Sequence, residues 1–147
     1  MLNHIRDAHP KILVLKDTNV CKIKDFEKYD HGITTQVIEA HGEVFWFNHE
    51  KDSAKSNFFG SVHYVGPQEN SSNFSYGLKL ISSNSNGMEI SYRRNTHKDN
   101  EEVTQLFQSG DCVCIPLCVA NHFVERNGNF RFNLNIIKNV TDLNLSE

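Results

Sequence analysis

Four cysteines and eight histidines are the side chains of this sequence best able to bind a metal or attack a substrate. Cys112, Cys114 and Cys118 lie close together and Cys21 stands apart. Positions two apart on a strand share a face, so Cys112-x-Cys114 could present two thiols side by side. No histidine or second cysteine pair accompanies them at the spacing that closes a tetrahedral zinc site. Cys112, Cys114 and Cys118 are therefore expected to be buried free thiols that pack as small hydrophobes. A cysteine nucleophile needs a base beside it; many Cys/His pairings exist on paper, but no nucleophile motif does. His4-x4-His9 has the spacing that ends a zinc finger, yet no cysteine pair precedes it, so the two histidines are expected in a solvated N-terminal segment holding no metal in this chain. His122, followed by Phe123, is expected on a helical turn with one side packed, and the remaining histidines in loops or at polar strand positions. There is no G-x-G-x-x-G, phosphate loop or H-E-x-x-H. The residues point to a binding or interaction module, not an enzyme, and call for no cofactor.

The positioning elements read as short strands. Phe74, Tyr76, Leu78 and Leu80 alternate with Ser75, Gly77 and Lys79, and Phe130, Phe132, Leu134 and Ile136 alternate with Arg131, Asn133 and Asn135. Each stretch offers one dry face that needs a partner sheet, which predicts an antiparallel β-sandwich. Ile12 to Leu15, just after Pro10, reads as a short edge strand, and Val20 to Ile23 as another apolar stretch. The charged stretch from Asp25 to Gly32 reads as a loop. Ile33 to Glu39 is β-branched, His41-Gly42 is a turn, and Glu43 to Asn48 is apolar on both faces, as a covered core strand would be. Phe58 to Val65 forms a strand ending at Gly66-Pro67. The turn over 82–87 makes a hairpin of Leu78–Ile81 with Met88–Tyr92. Glu101 to Phe107 reads as a short helix stopped by Gly110. Cys112 to Ile115 is a strand, Val119 to Val124 a helical turn, and the tail from Asn139 is expected to fray.

At 147 residues, 38% hydrophobic and 22% charged, the chain suits one globular domain. A net charge of −3 and scattered basic residues leave no footprint for nucleic acid. No apolar run is long enough to cross a membrane or act as a signal peptide, so a soluble protein of a reducing compartment, cytoplasmic or nuclear, is expected. Sequons at Asn70, Asn73, Asn139 and Asn144 are weighed lightly in so Asn-rich a chain; glycan at Asn73 would favour a secreted, lectin-like sandwich instead.

Four stretches taken together, Val62-His63-Tyr64-Val65-Gly66, Asn73-Phe74-Ser75-Tyr76-Gly77-Leu78-Lys79-Leu80, Ser109-Gly110-Asp111-Cys112-Val113-Cys114 and His122-Phe123-Val124-Glu125-Arg126-Asn127-Gly128-Asn129-Phe130, resemble in order and gaps the C-terminal domain of the seven-in-absentia (Sina/SIAH) E3 ubiquitin ligases. The similarity runs from about Gly42 to Ile137. It implies an all-β, TRAF-like, eight-stranded antiparallel β-sandwich with one or two short helices over 12–138. Residues 1–11 would be the end of a zinc finger or a linker, with His4 and His9 as zinc ligands only in a longer protein, and 139–147 a tail. A RING that recruits the E2 enzyme would lie outside this chain, as would the zinc of the full-length family.

The resemblance further implies a homodimer that binds protein substrates or adaptors. Met88, Ile90 and Tyr92 are the expected dimer interface. An extended peptide is expected to add as a strand along Ile12–Leu15, with Leu13, Leu15, Thr34 and Gln36 as its contacts. Thr34 stands where the family shows a groove tryptophan, and Ala40-His41-Gly42-Glu43 replaces its C-F-G-F segment, which implies a different ligand. The other functional class consistent with the sequence is a TRAF-like dimeric scaffold without ligase activity.

Overall fold

Alternation along two strands builds half of the molecule. In the computed structural model, which describes residues 14–15, 18–30, 32–82 and 86–139 and side chains from residue 20 onward, Phe74, Tyr76, Leu78 and Leu80 are all buried, as are Phe130, Phe132, Leu134 and Ile136. The two stretches lie side by side and antiparallel, with Leu134 opposite Leu78 and Ile136 opposite Tyr76. Their shared dry face needs cover, and a second sheet supplies it. Phe132 meets Phe47 at 6.0 Å between ring centroids, and Phe74 meets Phe45 edge-on at 5.3 Å, within the range that aromatic pairs prefer.

Among the described residues, eight antiparallel strands form the sandwich. One sheet is ordered β2 (Thr18–Ile23), β10 (Phe130–Lys138), β6 (Phe74–Ile81) and β7 (Glu89–Asn95). The other contains β3 (Thr34–Ala40), β4 (Glu43–Asp52), β5 (Asn57–Val65) and β9 (Val113–Pro116). Two strands of two residues each join this second sheet in parallel: β1 (Val14–Leu15) on β3 and β8 (His97–Lys98) on β5. An antiparallel, TRAF-like sandwich is thus the architecture, with β1 at the far edge of the second sheet.

The turns follow the sequence. His41 and Gly42 both have positive φ, 54° and 74°, as a two-residue hairpin between β3 and β4 requires. The short helix α1 (Val103–Ser109) ends at Gly110, whose φ of 76° lets the last turn close. This helix covers the outer face of β5, where Phe107 stacks on Phe59 at 5.0 Å, so β5 is buried on both faces. Helix α2 (Leu117–Ala120) runs into a 3₁₀ turn, Asn121–Phe123, which leaves His122 exposed and Phe123 buried.

Three sequence expectations change. The loop from Asp25 contains a 3₁₀ turn, Phe26–Lys28, because Phe26 is drawn into the core against Phe130 at 4.4 Å. Asn139, where the tail was expected to begin fraying, is anchored: its backbone N–H donates to Asn73 O at 2.8 Å, and its side chain donates to Ser72 O and accepts from Ser75, while residues 140–147 lie outside the described residues. The histidines outside the helical turn are not all polar-surface residues, since His49, His63 and His97 are buried. His63 and His97 sit opposite each other on β5 and β8. Ser61 Oγ–H can donate to His63 Nε2 at 2.9 Å and the Tyr76 hydroxyl to His97 Nε2 at 3.0 Å, while His97 Nδ1–H reaches the Glu101 carboxylate at 3.1 Å.

Candidate peptide-binding site

The open side of the sandwich lies between β2, an edge of one sheet, and β3, near the edge of the other. A pocket of about 360 Å³ occupies it. Val20 to Ile23 and Lys24 form one wall, Thr34 and Gln36 the other, and Tyr29, His49 and Phe132 complete the lining. The local sequence explains this arrangement. Thr34, Gln36, Ile38 and Ala40 alternate along β3 toward the other sheet, but only Ile38 and Ala40 are buried apolar residues. Where the alternation turns polar, the sheets are left unsealed.

Tyr29 and Thr34 form a hydroxyl pair at 2.6 Å across the pocket mouth. His49 stands directly opposite Thr34 in the β3–β4 register. Its ring stacks against Tyr29 at 6.3 Å and lies 5.1 Å from Phe47 and 6.0 Å from Phe58. Burial in this aromatic setting pushes its pKa down to about 4, so the imidazole is neutral at pH 7. His49 is 4% exposed, and its Nδ1 is buried with no hydrogen-bond partner.

Beside the pocket runs the edge of the second sheet. Val14 and Leu15 pair in parallel with Val37 and Ile38. Among the described residues, Thr34–Gln36 have a strand partner only on the β4 side.

The structure therefore brings Thr34 and Gln36 together on the pocket wall and sets Leu15 at a register position opposite Ile38. Leu13, His4 and His9 lie outside the described residues. Of the expected dimer residues, Met88 is 37% exposed just ahead of β7. Ile90 and Tyr92 are half-buried against the core, where the Tyr92 hydroxyl donates to Cys114 O at 2.9 Å. The sequence reading missed Tyr29, His49 and Phe132 as pocket residues. For His49 a signal existed: it continues the alternation of the buried Phe45 and Phe47 along β4.

Of the three thiols expected to be buried, Cys112 and Cys114 are only half-buried and Cys118 is exposed at the start of α2. Burial raises Cys21 to about 11, and burial with a neighbouring Cys114 raises Cys112 to about 12. The Cys112 thiol points at Leu106 O, 3.6 Å away. Among the described residues, no group of three His, Cys, Asp or Glu side chains comes together as metal ligands, and no helix is long and apolar enough to cross a membrane.

A comparison with curated proteins finds no match. Against models of protein families, residues 38–136 match the Sina, TRAF-like domain. The matched segment begins within β3 and ends within β10, spanning both sheets and most of the core, while Thr34 and Gln36 precede it. Sheet order, the stretches that carry the resemblance and the family match coincide over the same residues, and the chain belongs to the Sina, TRAF-like domain family, a family of protein-interaction domains.

Proposed function

We propose that this domain binds the substrates or adaptors of a Sina-like RING ubiquitin ligase by taking an extended peptide onto the edge formed by β1 and β3. The observation that carries the reading is the conjunction of an edge with a pocket. The terminal strand of one sheet pairs with Val37 and Ile38, next along β3 from Thr34 and Gln36, whose side chains line the 360 Å³ pocket. An added strand gains affinity from backbone hydrogen bonds and specificity from alternate side chains that enter pockets. Thr34 is too small to wall the groove as an aromatic residue would, so the preferred peptide differs from one that packs on tryptophan.

In this reading the chain performs no catalysis and needs no cofactor: ubiquitin transfer falls to an E2 enzyme recruited by a RING elsewhere in the ligase. The domain acts in the cytoplasm or nucleus and works as a homodimer through the β7 side, where Met88 is exposed. Amide hydrogen exchange tests the edge. A partner captured from cell extract should slow exchange at Val14, Leu15 and Thr34 to Gln36, whereas protection confined to β7 or α1 would remove the site from this edge.

A further inference from the structure

Within the peptide site proposed above, on which this inference rests, we propose that the pocket under Thr34 selects a serine or threonine of the bound peptide, whose hydroxyl pairs with His49 Nδ1. A buried polar atom without a partner costs free energy, and His49 Nδ1 is such an atom on a side chain that lines the pocket. No described protein group satisfies it and the atom is shut off from the surface, so its partner arrives with whatever fills the pocket. The entering side chain reaches the imidazole by moving Tyr29, whose ring stacks on His49 and whose hydroxyl ties to Thr34.

The lining decides the chemistry of that side chain. Lys22 and Lys24 are its charged members and no carboxylate is among them, which disfavours lysine or arginine. A carboxylate would meet Lys22 and Lys24 at the exposed rim, but to reach His49 Nδ1 it would have to shed its water, and burial disfavours the charged imidazole that could pair with it. A purely apolar side chain would fill space but leave Nδ1 unpaired. A hydroxyl both donates and accepts, so it serves either neutral tautomer of His49. Threonine and valine have nearly the same shape, and the hydroxyl alone separates them.

The test uses arrays of decapeptides with randomised flanks and one central residue fixed as Ser, Thr, Val, Ala, Asp or Lys, probed with wild-type and His49→Leu protein. The wild type should prefer threonine to valine by about fivefold, the worth of one hydrogen bond, and His49→Leu should lose or reverse that preference while still binding the arrays. An equal Thr/Val ratio in the two proteins overturns the inference and leaves the groove reading standing. If the wild type captures no peptide at all, the groove reading falls and this inference with it. A second readout does not depend on the variant: the best threonine decapeptide should shift the His49 Nδ1 resonance of ¹⁵N-histidine-labelled wild type, and an unmoved resonance in the saturated complex overturns the pairing.

Discussion

Thr34 and His49 face each other across the β3–β4 register, one at the pocket mouth hydrogen-bonded to Tyr29 and the other buried beneath with Nδ1 unpaired. The pairing sets a polar residue against an imidazole on an inner face otherwise built largely from side chains such as Phe45, Phe47, Phe58 and Val62. It leaves the sandwich less well sealed here than along Phe45, Phe74 and Tyr76. Stability has been traded for an opening, a pattern common at binding sites.

That trade predicts the behaviour of His49→Leu. Removing an unsatisfied buried nitrogen in favour of an apolar side chain should raise unfolding stability at pH 7 by about 1 kcal/mol, read from denaturant melts. A loss of similar size would mean that the imidazole is satisfied in the native protein.

Stability should also fall with acid in a defined window. His49 titrates near 4 in the folded protein and His97 near 3, both lowered chiefly by burial, and burial lowers His63 as well. Between these values and about 6.5, where an unfolded histidine titrates, the unfolded chain binds more protons than the native one. The stability is therefore full above that unfolded value and is lost as pH falls toward the folded ones. For His49 alone the loss approaches about 3 kcal/mol by pH 4. Denaturant melts across pH 4 to 7 should show a shallower slope in His49→Leu than in wild type; parallel slopes would contradict the buried, neutral imidazole.

Lys51 offers a separate check on packing at the same end of the sandwich. Its buried ammonium donates to Phe26 O at 2.5 Å and Glu27 O at 2.8 Å, and sits 4.9 Å from the centre of the Phe26 ring. Methionine keeps the stem but leaves both carbonyls without this donor. Lys51→Met should cost about 1–3 kcal/mol, measured by chemical denaturation, and a neutral result would mean that water replaces the ammonium freely.

Self-association has its own measurement. Sedimentation at tens of micromolar should give about twice the chain mass of 16.9 kDa, and Met88→Asp should move the protein toward monomer. A stable dimer needs on the order of 1,000 Å² of buried surface, so a wild-type monomer at that concentration would refute the β7 interface.

Much of this fold was legible because its strongest signals are local. Alternation along Phe74–Leu80 and Phe130–Ile136 gave the inner face of one sheet, and Gly110 and His41-Gly42 marked chain reversals that need positive φ. The pairings of β1 with β3 and β8 with β5 were not legible, since a two-residue strand carries no periodicity and is defined only by its distant neighbour. The inward turn of His63 and His97 depends on partners as remote as Tyr76 and Lys98 O. Lys51 is buried because loop carbonyls from a distant part of the chain accept hydrogen bonds from its ammonium. Thr34 and Gln36 were found by resemblance, but the pocket they line exists because β2 and Phe132 come from the opposite sheet.

Titration of a partner peptide, mapped from a protein captured by pull-down, into wild-type and Leu15→Arg protein tests strand addition at this edge most directly. Leu15 lies in β1, in register with Ile38, and under the proposed strand addition an arginine there puts a charge beside the ligand. Binding should be abolished while the circular dichroism spectrum and melting temperature stay close to wild type, and Val14→Pro should weaken binding too if that N–H faces the ligand. A folded Leu15→Arg protein that binds the peptide as tightly as wild type would contradict the account and place the groove elsewhere.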